Sequence, residues 1–62
     1  MSISRRVLLA VANGFEEIEM TAPFDILKRA GADITIVSAN PNPSTEVVSA
    51  RNLRIIADEH IS

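Results

Sequence analysis

Residues 7–12 form a continuous apolar run, VLLAVA, that stops at Asn13-Gly14. An apolar run without polar alternation is typical of a strand buried on both faces, and Asn-Gly is a turn signal. The run is too short for a signal-peptide core, and a membrane helix needs roughly 20 apolar residues. We therefore predict that residues 7–12 are a central strand of a parallel sheet.

The pattern changes to a helical period between residues 15 and 30. One apolar stripe recurs at this spacing: Ile18, Ala22, Ile26, Leu27 and Ala30. Gly31 follows as the residue that ends the helix in a left-handed conformation. Because Pro23 would remove a backbone donor from a regular helix, we predict a short acidic turn over residues 15–20, followed by a main helix with Pro23 in its first turn.

Residues 33–38, DITIVS, are rich in β-branched side chains and predict a second strand. Two strands joined by a helix form a βαβ unit, so we expect them to be parallel, with a right-handed crossover. After a Pro-containing loop at residues 40–44, two short apolar segments at 46–50 and 53–57 predict a hairpin. Residues 58–62 predict a segment that leads into another secondary-structure element.

The length of 62 residues limits the chain to one small domain at most. A chain of this size buries only about 60% of the surface that it exposes when unfolded. A βαβ unit with an appended hairpin also leaves both faces of its sheet to be covered. We therefore expect a fragment, a cleaved piece or an obligate partner of another chain, completed by the remainder of the same domain.

Composition and charge exclude several classes of function. The net charge is −2 and no basic cluster extends beyond Arg5-Arg6, which argues against nucleic-acid partners. The chain has no cysteine and a single histidine, His60, so we predict neither a metal site nor a cofactor. A histidine without a nucleophile in the same chain has no group to activate as a general base. A cytoplasmic protein without membrane contact is the expected setting.

Three carboxylates, Glu16, Glu17 and Glu19, follow the first predicted strand, at the edge of the sheet where open α/β folds place ligands. In a helical turn Glu16 and Glu19 lie on one face and Glu17 points elsewhere, so two acids would share a site. Acids that only favour the helix dipole and water remain an alternative. The single glycine of this turn excludes a dinucleotide fingerprint, which needs three.

These segments together resemble the ThiJ/PfpI family. The resemblance rests on RVLLAVANGFEEIE at residues 6–19 and PFDILKRAGA at residues 23–32, and it continues through residues 49–52 to Asp58. It is nearest to the branch of the parkinsonism-associated protein deglycase and its bacterial relatives. The fold that it implies is α/β: the N-terminal β-α-β plus β-hairpin portion of a flavodoxin-like, class I glutamine amidotransferase-like three-layer sandwich with a mainly parallel sheet.

The resemblance also implies a function. Members are usually cytoplasmic homodimers that use a cysteine to act on reactive carbonyls or glycated groups, as deglycases or glyoxalases, or that protect against oxidative stress. Glu19 matches the catalytic acid beside that cysteine, where a protonated carboxyl stabilises the thiolate. Glu16, Arg29 and Arg51 match polar positions near the substrate pocket or the dimer contact. Since the chain contains no cysteine, the nucleophile is expected outside these 62 residues.

Three interpretations follow from these observations. The chain is the first segment of a cysteine-dependent enzyme whose remainder is another chain, a cleaved piece or missing. It belongs to a non-catalytic redox-stress sensor or holdase chaperone of the same family. It is an inactive truncated fragment, which the uncovered faces of the predicted sheet favour if no partner chain is found.

Overall fold

The structure, a computed structural model, describes residues 5–62. Its elements in chain order are β1 (Arg6–Val11), α1 (Glu17–Arg29), β2 (Asp33–Ser38), β3 (Glu46–Val48), β4 (Arg54–Ile56) and β5 (Glu59–His60). Strands β1, β2 and β5 form a parallel sheet in the order β1-β2-β5, and β3 pairs with β4 as an antiparallel hairpin. The architecture is therefore mixed α/β, as predicted.

The βαβ unit has the predicted parallel pairing, but β2 rather than β1 is its middle strand. The register runs from Arg6 opposite Asp33 to Val11 opposite Ser38, and β5 pairs with the other edge of β2. Among residues 5–62, β1 pairs with β2 alone, and its Leu8 side chain is 75% exposed. Within residues 5–62 the strand predicted to be central therefore lies at an edge of the three-stranded sheet, because an apolar run does not specify which strands lie beside it.

Helix α1 is continuous from Glu17 to Arg29, with Pro23 inside it. The predicted acidic turn separate from a main helix is therefore wrong. Proline removes one backbone donor, the one that would pair with the Glu19 carbonyl, and contacts of the first turn with other elements keep that turn helical. The helix ends as predicted, with Ala30 at the C-cap and Gly31 following at φ 92°.

The predicted hairpin is confirmed, with Val47 opposite Ile55 at its centre. Its turn closes through the Ser49 N–H, which donates to the Leu53 carbonyl at 2.8 Å, and the Asn52 N–H, which donates to the Ser49 carbonyl at 3.1 Å. Asn52 has φ 67°, a left-handed conformation that asparagine tolerates better than most residues. The element expected after residue 58 is β5.

The hydrophobic core joins the helix, the sheet and the hairpin in one cluster. Val11, Met20, Val47 and Ala57 are buried in it, and Val47 is fully inaccessible to solvent. Partly buried apolar residues pack around them: Leu9, Phe15, Ile36 and Ile55. The hairpin is thereby held against the carboxyl end of β1 and the start of α1. In residues 5–62 no helix has the length and apolar character to cross a membrane.

Candidate functional site

The connection from β1 to α1 is paired with the hairpin through its backbone. The Gly14 N–H donates to the Val48 carbonyl at 2.8 Å, and the Ala50 N–H donates to the Phe15 carbonyl at 2.9 Å. Gly14 has φ 90°, a conformation that a residue with a Cβ adopts at a cost of about 1 kcal/mol or more. These contacts place the first turn of α1 next to the hairpin turn at residues 49–53.

Glu17 is the acid of this turn that contacts the hairpin. Its Oε2 accepts hydrogen bonds from the Ser49 hydroxyl and from the Arg51 N–H at 2.9 Å, and its Oε1 accepts one from Arg51 Nη1 at 2.9 Å. These bonds lower the pKa of Glu17 from 4.5 to about 2, and the bond from Ser49 is the largest cause. The side chain is 21% exposed and stays a carboxylate at neutral pH.

Arg51 is shared between two carboxylates. Its Nη1 also donates to Glu16 Oε2 at 3.0 Å. The hydrogen bond from Arg51 to Glu16, followed by the one to Glu17, raises the pKa of Arg51 above its usual range. The Arg51 side chain is 69% exposed, so water screens both ion pairs and they contribute little to stability by charge attraction alone.

Glu16, Glu17 and Glu19 at the start of α1 form the acidic turn. Glu19 lines two cavities beside it. The larger, of about 700 Å³, lies between the first turn of α1 and the hairpin residues Arg51 and Leu53. The smaller, of about 260 Å³, follows the end of β1 and is walled by Phe15, Met20 and neighbouring residues of β1. Glu16 lines both as well. Glu16 and Glu19 thus line both cavities, whereas Glu17 lines the larger one alone, and its carboxylate is bonded to the hairpin.

Of the four site residues predicted from the sequence, the structure brings three together. Glu16, Glu19 and Arg51 surround the larger cavity. Arg29 lies at the other end of α1, where its Nε donates to Asp25 Oδ1 at 2.7 Å in an exposed i,i+4 pair. Within residues 5–62 no hydrogen bond or ion pair joins Arg29 to the acidic turn.

Sequence reasoning missed the two residues that anchor the site, Glu17 and Ser49. Ser49 is buried, and its Oγ accepts the Leu53 N–H at 2.9 Å while its hydroxyl donates to Glu17. Helical spacing only indicates that Glu17 faces away from Glu16 and Glu19. Its partners lie more than 30 positions later, and no local signal names them.

The chemistry that the described residues offer is that of an acidic cavity with one guanidinium on its wall. No group of three or more histidine, aspartate or glutamate side chains in residues 5–62 is arranged to hold a metal ion. Glu19 is distinct among the three acids because its side chain makes no hydrogen bond with any residue of this range. Its carboxyl group is therefore available to a group brought into the cavity from elsewhere.

Comparisons with known proteins identify a family. Residues 5–62 match the DJ-1/PfpI family over their whole length. The chain belongs to the DJ-1/PfpI family. The resemblance that the sequence shows is thereby confirmed.

Two curated members and one solved structure illustrate the relationship. The chain is 43% identical to protein DJ-1 homolog B of Arabidopsis thaliana over 53 residues and 30% identical to homolog A over 61 residues. A crystal structure of a DJ-1 superfamily protein of Salmonella typhimurium, a cysteine-to-alanine mutant, superposes on 90% of the chain with a TM-score of 0.83 and 32% identity. The described residues thus form a segment of a flavodoxin-like fold.

The share of these relatives that the chain covers is small. The alignment with homolog B covers 86% of this chain but 12% of the homologue. The alignment with homolog A covers 98% of this chain but 15% of the homologue. Against the Salmonella protein this chain covers 29% of the solved chain.

Proposed function

We propose that this chain supplies the acidic part of the active site of a cysteine-dependent DJ-1/PfpI protein that acts on reactive carbonyls or glycated groups. The observation that carries the proposal is the position of Glu19, which lines both cavities beside the start of α1 and makes no side-chain hydrogen bond within residues 5–62. The nucleophile comes from outside these residues. The Salmonella relative, solved as a cysteine-to-alanine mutant, supports a role for a cysteine.

The difference in hydrogen bonding among the three acids supports a distinct role for Glu19. Arg51 and Ser49 hold Glu16 and Glu17 as hydrogen-bonded carboxylates. Glu19 is left to face the cavity. In its protonated form its carboxyl group donates a hydrogen bond to the cysteine sulfur and stabilises the thiolate, which is the nucleophilic form that attacks an electrophilic carbonyl carbon.

The same geometry supports an alternative in which no substrate is turned over. A carboxyl group that donates to a thiolate also stabilises a sulfinate, the oxidised form of the cysteine. Exposed Ile18 and Leu53 beside the larger cavity offer apolar surface of the kind that a holdase chaperone presents to unfolded chains. The alternative is a redox-stress sensor or chaperone. In both cases we propose a cytoplasmic homodimer, completed by the remainder of the domain.

The test is the consumption of methylglyoxal by the whole protein and by its Glu19→Gln variant. Glutamine keeps the size of the side chain but replaces the acidic O–H donor with a weaker amide N–H donor, so we expect kcat to fall about tenfold or more. The control is Glu46→Gln, an exposed acid of β3 whose side chain makes no hydrogen bond within residues 5–62. It should keep the rate of the wild type.

Each result has one meaning. A Glu19→Gln variant as active as the wild type would contradict the proposed role of Glu19. A wild type that consumes no methylglyoxal, but forms more sulfinate under peroxide than Glu19→Gln does, would favour the sensor over the enzyme. The sulfinate is detected by intact-mass spectrometry.

A further inference from the structure

Glu17 has more hydrogen bonds than the other acids of the turn, and the family resemblance assigns it no role. We infer that Glu17 is a positioning residue: it fixes the hairpin turn at residues 49–53 onto the first turn of α1 and so sets the width of the larger cavity. This inference deepens the proposed function. The kinetic effect expected of Glu17 rests on the proposed function, whereas the structural effect does not.

Two sets of hydrogen bonds connect Glu17 to Arg51 and Leu53, the hairpin residues that line the larger cavity. The first runs from Glu17 to the Ser49 hydroxyl and from Ser49 Oγ to the Leu53 N–H, and Leu53 lines the cavity. The second runs directly to Arg51, through its backbone N–H and its Nη1. A single carboxylate therefore orients both hairpin residues that wall the cavity.

The backbone attachments of the hairpin to the β1–α1 connection precede Arg51 in the chain. Val48 is bonded to Gly14, and Ala50 is bonded to Phe15. From Arg51 onward, the hydrogen bonds between the described hairpin residues and the acids at the start of α1 go to Glu17, apart from the one from Arg51 to Glu16. Loss of the Glu17 carboxylate should thus release Arg51 and Leu53 and leave the hairpin attached through Val48 and Ala50.

The position of Glu17 suits a permanent anchor. Its side chain is largely buried, whereas Glu16, which shares Arg51, is half exposed. Ser49, its partner, is also buried, so the hydrogen bond between them is shielded from competing water. Glu19 lies one helical turn from Glu16 and lines the cavity without a hydrogen bond to Glu17, so we expect its carboxyl group to stay in the cavity in Glu17 variants.

Hydrogen exchange of single amides in the whole protein tests the structural part. In Glu17→Ala the Arg51 amide loses its acceptor, and the Ser49 hydroxyl that accepts from the Leu53 amide loses its own partner. We expect both amides to lose protection by about tenfold or more, while Ala50 keeps its protection. Glu46→Ala, with an exposed side chain on β3, is the matched control. Unchanged protection at Arg51 and Leu53 would overturn the inference, and so would an equal loss at every amide of the chain.

Steady-state kinetics with methylglyoxal test the functional part. A displaced cavity wall weakens substrate binding, so in Glu17→Gln we expect KM to rise about tenfold and kcat to stay within about twofold. Glu17→Asp keeps the charge and should recover part of the loss. A fall in kcat at constant KM would indicate only a smaller folded fraction and would overturn the positioning role.

Hydrogen exchange and steady-state kinetics together distinguish a failure of this inference from a failure of the proposed function. If the wild type turns over no methylglyoxal, the proposed function fails, and hydrogen exchange alone decides whether Glu17 positions the hairpin. If the wild type is active and Glu17→Gln has the wild-type KM, the inference fails and the role proposed for Glu19 stands.

Discussion

Asn13 and Asn40, which follow β1 and β2, connect three elements through their side-chain amides. The Asn13 N–H donates to Asn40 Oδ1 at 2.8 Å, and Asn40 Nδ2 donates to Asn13 Oδ1 at 3.1 Å and to the Glu46 carbonyl at 3.3 Å. The Val48 N–H donates to Asn13 Oδ1 at 3.0 Å. Asn40 is 3% exposed, so each of these bonds replaces one that water would otherwise make.

Asn40→Asp tests this network. The substitution keeps the size of the side chain but replaces its two N–H donors with an acceptor that faces two other oxygens. We expect the free energy of unfolding to fall by about 1–3 kcal/mol, the cost of a buried polar group without its partner. Urea denaturation followed by circular dichroism measures it, with the exposed Asn42→Asp as control. Equal stability of the two variants would contradict the network.

At the scale of elements, the first turn of α1 and the hairpin stabilise each other. Pro23 weakens α1 one turn after Glu19, because proline leaves the Glu19 carbonyl without its helical donor. The Glu17 carboxylate and buried Met20 fasten the same part of the helix to the hairpin and the core. Contacts between elements therefore decide that the chain is helical from Glu17 onward.

Acid should weaken the attachment of helix to hairpin. The pKa of Glu17 is lowered from 4.5 to about 2 in the folded protein. A lowered carboxyl pKa gives stability that is fully present above about pH 4.5 and is lost as pH falls toward 2, since the unfolded chain binds the proton more readily. We expect the thermal midpoint of the wild type to fall more steeply across this window than that of Glu17→Gln.

Circular dichroism melts at closely spaced pH values measure both slopes. Glu46→Gln, which removes an exposed carboxylate, should retain the steep slope of the wild type. Parallel curves for the wild type and Glu17→Gln would show that Glu17 does not carry this dependence.

At the largest scale, residues 5–62 combine a small core with a large apolar surface. Their dimensions are 39 × 25 × 12 Å, so they form a flat body with few fully enclosed positions. Several large aliphatic side chains are exposed to at least 48%: Leu8, Ile18, Ile26, Leu53, Ile56 and Ile61. Within residues 5–62 the buried apolar side chains are few, so each of them should contribute strongly to the free energy of unfolding.

Met20→Ala tests this dependence. Met20 is 8% exposed and is the side chain through which α1 enters the core cluster. Its truncation should lower the free energy of unfolding by about 2–5 kcal/mol. Lys28→Ala, an exposed position of the same helix, should change it by about 0.5 kcal/mol or less. A similar cost for both variants in urea denaturation would contradict the assignment of the core.

The candidate site could be predicted in part. Glu16, Glu19 and Arg51 come from the family resemblance, and the structure places all three around one cavity. The resemblance also proposes Arg29, which the structure pairs with Asp25 at the far end of α1. Glu17 carries no sequence signal of its own, because a second glutamate in an acidic turn is also what a solvated helix start contains.

The sequence by itself determined the order of the elements, the parallel βαβ unit, the hairpin and the family. Each is encoded in the spacing of apolar, turn and motif residues that are close in the chain. Only the tertiary structure decided that β2 is the middle strand, that α1 continues through Pro23 and that Glu17 holds Ser49 and Arg51. These outcomes depend on contacts between distant residues, and local propensities carry no information about them.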